Sequence, residues 1–400
     1  MRSFHNRILR ANLTDGTVEI EEPGEVTLRR YMGGWNIIAD VLLKEVPKGA
    51  DPLGPENKLI FAPGVLCGLP IAGASRSAVG AKSPLTGAFG AAEAGGGFGA
   101  WLKRSGFDAV IVEGTSEEPV YLWIEDGEAE IRDASHLWGK TTKETEEAIR
   151  EETDEARAEM AMIGPGGENL IRYACVMHGP KDAAGRTGLG AVMGSKKLKA
   201  VAAAGTMNVD GEDAEAIREM ARRAAREVQE GERATTLHEH GTGGAALEDW
   251  VLSGNMPVRN FRDGEFPEIE GLEYICDKIG IGMEGCWACP VRCKKVVEAE
   301  GVDPTYGGPE YETIGSLGST CGVSDAVAVS RANVLCNAHS LDTIGTGLAI
   351  SFAMECYENG LLTEEDTDGL DLRFGNGEAM VQMVERIARR EYSFHSTIRP

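Results

Sequence analysis

Two glycine-rich runs constrain this chain more than any other feature. One is Gly87-Ala-Phe-Gly-Ala-Ala-Glu-Ala-Gly-Gly-Gly-Phe-Gly99; the other is Gly185-Arg-Thr-Gly-Leu-Gly-Ala-Val-Met-Gly194. The 52 glycines among 400 residues exceed the usual share of about 7%. They cluster, and they show no collagen-like period. Runs of this kind turn tightly and let backbone amides approach a large ligand. Two of them in one β-rich stretch imply a duplicated half, each copy offering a backbone cradle.

The surrounding pattern supports a β-rich first domain over residues 1–208. Ile8–Leu13 and Val18–Ile20 flank an Asp15-Gly16 turn and read as a hairpin. Leu59–Ala62, Ala109–Val112, Val120–Ile124 and Ile171–Val176 read as further strands. Thr141 and Glu144 make a capping-box pattern before a short helix with Ala148 and Ile149 inward. The period then changes. Ile217, Met220, Ala221, Ala224 and Val228 recur at helical spacing, as do Val327, Val334, Leu335 and Ala338. Ile350, Ala353, Met354 and Tyr357 follow, with Gly360 as a C-cap. The fold class is therefore α+β: a β-rich domain of two related sheet halves, then a mostly helical domain over 209–400. Residues Glu391–Pro400 stop a helix abruptly, and the helical domain is expected to be incomplete.

A net charge of −24 argues against nucleic acid as a partner, because phosphate contacts need clustered Lys and Arg. It is compatible with a salt-adapted host, an acidic docking face or plain solubility. No apolar run has the length of a membrane span. Nine cysteines without a visible secretory signal point to reduced thiols and a cytoplasmic location, where metal binding outranks disulfides.

Three of those cysteines form Cys286-Trp-Ala-Cys289-Pro-Val-Arg-Cys293. The C-x-x-C-x-x-x-C spacing suits corners of an iron–sulfur cube, which normally takes four thiolates. Gly280-Ile-Gly-Met-Glu-Gly285 precedes the run and lets amides approach cluster sulfurs. Other readings are a zinc site completed by Cys276, a radical cluster, whose gaps run in the opposite order, and three structural thiols. Cys67, Cys175, Cys321, Cys336 and Cys356 show no ligand spacing and read as packed small side chains.

The chain resembles the tungsten-containing aldehyde:ferredoxin oxidoreductase family over essentially residues 1–390. The segments that carry the likeness are Asp51-Pro-Leu-Gly-Pro-Glu-Asn-Lys-Leu59, Lys82-Ser-Pro-Leu-Thr-Gly87, Ile163-Gly-Pro-Gly-Gly-Glu-Asn-Leu170, Ala183–Lys196, the cysteine run and Gly308-Pro-Glu-Tyr-Glu312. The resemblance implies a tungsten or molybdenum atom held by two pterins (tungstopterin), a Mg²⁺ bridging the pterin phosphates, and a 4Fe–4S cluster on Cys286, Cys289 and Cys293. It implies that Arg76 lies between pterin and cluster, that Glu93 and Gly95 line one pterin, and that Asp182, Ala183, Gly185 and Arg186 line the other. At least one family member has Arg in place of Asp182.

Asn337-Ala-His-Ser-Leu-Asp342 resembles the family's D-x-x-G-L-D pterin motif. Asn337 stands for the first Asp, Ser340 for the Gly, and Leu341 and Asp342 match. The family's second Glu in the Glu310-Tyr-Glu312 triplet sits beside the metal, which makes Glu312 the expected catalytic residue. The implied activity is oxidation of an aldehyde, with electrons passing to ferredoxin or a ferredoxin-like subunit. A same-family reductase of, for example, an aromatic thioester is the alternative; a non-catalytic cluster-binding protein is another. The resemblance also implies a fourth cluster cysteine beyond residue 400. Some members bridge subunits through a metal on an E-x-x-H helix. Arg331 and Val334 occupy those positions here, so any homo- or hetero-oligomer is expected to form without it.

Overall fold

The structure is a computed structural model, and it describes residues 3–209, 211 and 213–391. Two compact units divide the chain. The first is Met1–Gln229 with Gly285–Pro290; the second is Glu230–Glu284 with Val291–Pro400.

Two six-stranded sheets make the first unit. One holds β1 (Ile8–Asn12), β2 (Thr17–Glu21), β3 (Leu59–Pro63), β4 (Ser77–Lys82), β5 (Phe89–Ala94) and β6 (Ala109–Glu113), in the order β2-β1-β6-β3-β4-β5. The other holds β7 (Val120–Glu125), β8 (Glu128–Asp133), β9 (Glu159–Met162), β10 (Val176–His178), β11 (Asp182–Ala184) and β12 (Leu198–Ala204), in the order β8-β7-β12-β9-β10-β11. The second order is the first with six added to every strand. The pairing sense repeats too. β6 runs parallel to β1 and antiparallel to β3, and β12 runs parallel to β7 and antiparallel to β9. The duplication is thus a repeat of topology.

Six helices decorate these sheets: α1 (Gly24–Tyr31), α2 (Trp35–Glu45), α3 (Phe98–Arg104), α4 (Thr142–Thr153), α5 (Pro165–Glu168) and α6 (Leu189–Ser195). Each glycine-rich run leads from the last strand of its sheet, β5 or β11, into a short helix, α3 or α6. The inner core joins both sheets to those two helices through Phe61, Val79, Phe98, Leu102, Val192 and Val201. On the outer faces, α2 buries Ile38 and Val41 against one sheet, and Ile149 of α4 packs against the other. Each such aliphatic side chain contributes roughly 1.5–3 kcal/mol when fully buried. The α4 capping box forms: Glu144 N–H donates to the Thr141 hydroxyl (3.4 Å), and Thr141 N–H donates to the Glu144 carboxylate (2.8 Å).

Two segments differ from the sequence reading. Ile171–Cys175 is not a strand, and only Val176 belongs to β10. The Ile171 N–H donates to the Gly166 carbonyl and Ala174 N–H to Ile171, so turn bonds capture this backbone before a ladder can. α7 (Ala214–Glu230) forms as the spacing predicts, but its stripe enters no core; Met220 is 48% exposed and none of its described residues is buried.

The second unit is mostly helical. It contains α8 (Glu232–His240), α9 (Leu247–Leu252), α10 (Ile275–Ile279), α11 (Tyr311–Thr313), α12 (Ala326–His339), α13 (Thr343–Glu358) and α14 (Gly377–Arg389). A hairpin of β13 (Gly280–Glu284) and β14 (Lys294–Val297) carries the cysteine run in its loop. α11 passes directly into a π-helical turn at Ile314–Gly318, a distortion often found at functional sites. The sequence expectation for Glu391–Pro400 falls almost wholly outside the described residues. No helix among the described residues is long and apolar enough to cross a membrane.

Candidate functional site

In the first unit, three consecutive glycines form the floor of a cradle. A Cβ on Gly95 would overlap the Cys286 sulfur. One on Gly96 would lie 2.9 Å from an Asp182 carboxylate oxygen, and one on Gly97 would lie 2.7 Å from the Glu159 carboxyl carbon. Each of these contacts would force a neighbouring side chain to move. The Trp287 N–H donates to the Gly96 carbonyl at 3.0 Å and pins the cysteine segment to this floor. The two glycine-rich regions also meet. Ser83 donates its hydroxyl to the Thr187 carbonyl at 2.7 Å, and a Cβ on Gly90 would sit 3.0 Å from the Thr187 hydroxyl. Thr187 itself holds φ +72°, a conformation that strains a β-branched residue.

Three titratable groups surround the cradle. His178 pairs with Asp182 across β10 and β11, and its ring lies 4.8 Å from that of Phe98. Burial pushes its pKa down to about 4, against smaller upward pulls from Asp182 and the Gly95 carbonyl. That carbonyl lies close enough to raise the ring's proton affinity, yet neither ring nitrogen reaches a partner at hydrogen-bond geometry. Burial, then the Glu146 charge, pushes Glu159 up to about 7. The floor is therefore backed by a neutral imidazole and a carboxyl that is half protonated near neutrality.

These residues could hold a flat, heteroatom-rich anionic group such as a bis-pterin. Side chains of Cys286, Asp182 and Glu159 already close on the glycine floor, and backbone amides of glycine-rich runs are the donors such a group takes. A Cβ on Gly95 would lie 3.7 Å from an Asp182 carboxylate oxygen. Glu93, Ala183, Arg186 and Arg76 are exposed, and Gly185 is half-buried. The Arg76 side chain has no hydrogen bond or ion pair among the described residues, which leaves its guanidinium available to an anion.

Cys286, Cys289 and Cys293 are all half-buried. Ala288 (φ +52°) and Arg292 (φ +51°) take left-handed conformations, each one residue before a cysteine. Non-glycine residues adopt this backbone at a cost of roughly 1–2 kcal/mol. Among the described residues, no three His, Cys, Asp or Glu side chains converge as ligands of one ion. A cluster instead spreads its thiolates over several irons. Burial pushes the Cys67 and Cys336 thiols up to about 12 and the Cys321 thiol further. Such thiols are inert packing groups.

The second unit places Asn337–Asp342 at the corner between α12 and α13. Leu341 N–H donates to the Cys336 carbonyl (2.8 Å) and Ser340 N–H to that of Asn337 (3.3 Å), a Schellman closure. Ser340 sits at φ +58°, ψ +48°, which explains why glycine suits this position of the motif. The Asn337 amide donates to the Tyr306 carbonyl at 2.9 Å. Asp342 caps α13 by accepting from Ile344 N–H at 3.0 Å.

Glu312 lines a cavity of the same unit, about 700 Å³ in volume, with Glu310, Tyr311, Trp250 and Gly241–Gly244. Glu312 is exposed, and its carboxylate has no hydrogen bond or ion pair among the described residues. Glu310 is engaged: the Thr242 hydroxyl donates to it and Lys294 lies 3.9 Å away. Thr242 is a hub that the sequence reading missed. Its hydroxyl also accepts the Tyr311 N–H (3.2 Å), and its carbonyl accepts from the buried Lys295 ammonium (2.6 Å). The signal was present as a third glycine-rich run, Gly241-Thr-Gly-Gly244.

The chain is similar to known proteins along nearly its whole length. Residues 8–205 match the family model described as aldehyde ferredoxin oxidoreductase, N-terminal domain, and residues 219–397 match that for its domains 2 and 3. The chain is 43% identical over 393 residues to the tungsten-containing aldehyde ferredoxin oxidoreductase of Thermococcus kodakarensis, covering 96% of this chain and 64% of that protein. It is 41% identical to the protein of the same name from Pyrococcus furiosus, with the same coverage. It therefore spans a little under two-thirds of the length of these relatives. Among solved structures, the active-site complex BamBC of benzoyl coenzyme A reductase with 1,5-dienoyl-CoA superposes with a TM-score of 0.87 at 30% identity, covering 98% of this chain and 61% of that one.

Proposed function

The chain belongs to the aldehyde ferredoxin oxidoreductase family, and we propose that the protein it forms oxidises aldehydes to carboxylic acids. Electrons would pass through a 4Fe–4S cluster to ferredoxin or a ferredoxin-like subunit. The observation that carries this reading is the contact of Cys286 with Gly95 beside Asp182. It joins a cysteine of the cluster motif to residues assigned to both pterins.

When bound, the metal–pterin group supplies two-electron redox chemistry, and the cluster supplies single-electron relay. The chain's own part is positioning and proton handling. Gly95, Asp182, Gly185 and Arg186 would hold the pterins, and the Arg76 guanidinium would offer charge between pterin and cluster. A water adds to the aldehyde carbon, and a carboxylate oxygen of Glu312 accepts its proton. Overall, aldehyde and water give the acid, two electrons and two protons. Glu310, engaged by Thr242 and Lys294, is left to hold the turn that presents Glu312.

Glu312→Gln in the full-length holoenzyme should retain metal and iron and lose roughly 10²–10⁴ in rate. Glu310→Gln should lose less. Near-normal turnover by the first variant would assign the proton to another group. The likeness to benzoyl coenzyme A reductase favours one second reading, a reductase of an aromatic thioester, which assays with each substrate separate from the first.

A further inference from the structure

The cavity beside Glu312 is larger than a reacting carbonyl and a water require. At about 700 Å³ it falls within the roughly 300–1,000 Å³ of sites that enclose whole organic ligands. Its wall is aromatic. Trp250 and Tyr311 stand edge to face, centroids 4.5 Å apart with planes at 83°. Leu237 and Ala245 extend the apolar lining, and the exposed Glu232 and Arg233 are its other charged members.

The aromatic wall is also fixed. The Tyr311 hydroxyl donates to the Asn255 carbonyl, so its polar end is occupied by protein. The Trp250 carbonyl accepts from Asn255 N–H (2.8 Å) and Met256 N–H (3.1 Å). Gly243, at φ +65°, packs so closely that a Cβ there would lie 2.7 Å from the Tyr311 Cα. A wall held at both residues is pre-organised, and binding need not order it. Planar rings are the ligand groups that gain most from such a wall, through edge-to-face or offset contact in addition to burial.

We propose that Trp250 and Tyr311 are specificity-determining residues that form a subsite for an aryl group, so that the substrate class is an aromatic or aryl-alkyl aldehyde. The inference rests on the reading of Glu312 as the group beside the reacting carbonyl. A short aliphatic aldehyde leaves the subsite to water and gains nothing from it.

The test uses the full-length holoenzyme prepared without oxygen, with phenylacetaldehyde and acetaldehyde as paired substrates and calorimetric binding of phenylacetate as a readout independent of turnover. The wild type should prefer phenylacetaldehyde. Trp250→Ala should lower the phenylacetaldehyde-to-acetaldehyde ratio of kcat/KM by roughly 10- to 100-fold, mainly through KM, and weaken phenylacetate to match. Trp250→Phe should keep most of the preference. Ala245→Leu, which fills the subsite without removing the wall, should shift the ratio in the same direction as Trp250→Ala and covers the case in which that variant does not fold. An unchanged ratio in Trp250→Ala or Ala245→Leu overturns the inference. If the wild type oxidises neither aldehyde but binds phenylacetate through Trp250, the oxidase reading fails and the subsite stands. If it neither oxidises nor binds, both fall.

Discussion

One methyl group decides whether Cys286 can sit where it does. Its sulfur occupies the place of the missing Gly95 Cβ, and its backbone is held by the Trp287–Gly96 hydrogen bond. Gly95→Ala should displace the cysteine segment, cost about 1–3 kcal/mol and lower bound iron, read by metal analysis and visible absorption. Full iron content with unchanged stability would mean that the segment docks elsewhere. Behind the same floor, two groups titrate in opposite senses. His178 falls from 6.5 to about 4, so the unfolded chain binds more protons, and the native state loses stability as pH drops from about 6.5 toward 4. Glu159 rises from 4.5 to about 7, so the native state binds more protons, and its contribution is lost as pH climbs from about 4.5 through 7. Between pH 7 and 5 each amounts to about 2 kcal/mol, and they nearly cancel. His178→Leu should therefore gain stability relative to wild type on acidification from pH 7 to 5, and Glu159→Gln should lose it. Denaturation curves at the two pH values check both signs; parallel shifts in the two variants would refute the pairing.

At the scale of elements, what was legible in the sequence was local. The β1–β2 hairpin announces itself through Asp15-Gly16, and the α4 cap through Thr141 and Glu144, because all partners lie within a few residues. Ile171–Cys175 misled because its apolar alternation imitates a strand, while the Gly166 carbonyl that captures it belongs to a preceding turn. Thr242 escaped notice because its partners, Glu310 and Lys295, are remote in sequence. The α12–α13 corner is a mixed case: the motif is legible, but not that Asp342 serves as a helix cap. The cap and the proposed pterin contact together give a prediction. Asp342→Ala should lose about 1 kcal/mol from the cap. Asp342→Ser should regain most of this, since a hydroxyl can accept the Ile344 N–H, yet bind less pterin because the carboxylate is gone. Denaturation and the fluorescence of released pterin measure the two losses separately; full pterin content in Asp342→Ser would confine the residue to capping.

At the scale of the whole molecule, the repeat of strand order is the strongest constraint on stoichiometry. The sequence hints at it only through two glycine-rich runs, because equivalent strands share register and direction without sharing side chains. Topology restores the correspondence: β5 and β11 close equivalent edges, and each feeds a glycine-rich run into a short helix. Equivalent loops on equivalent scaffolds present equivalent backbone amides, and Ser83 and Thr187 tie their neighbourhoods together. A pair of like anionic groups suits that arrangement better than one group contacted by unlike loops. The full-length protein from an anaerobic host should therefore contain about two pterins for each tungsten or molybdenum atom, the ratio a bis-dithiolene site needs. Damage to one loop should be felt by both. Gly188, at φ +77°, packs against the Arg172 backbone, where a Cβ would overlap the carbonyl oxygen. Gly188→Ala should thus reduce metal together with both pterins. A variant that keeps its metal with a single pterin would show that the two cradles load independently, and the paired reading of the duplicated fold would be wrong.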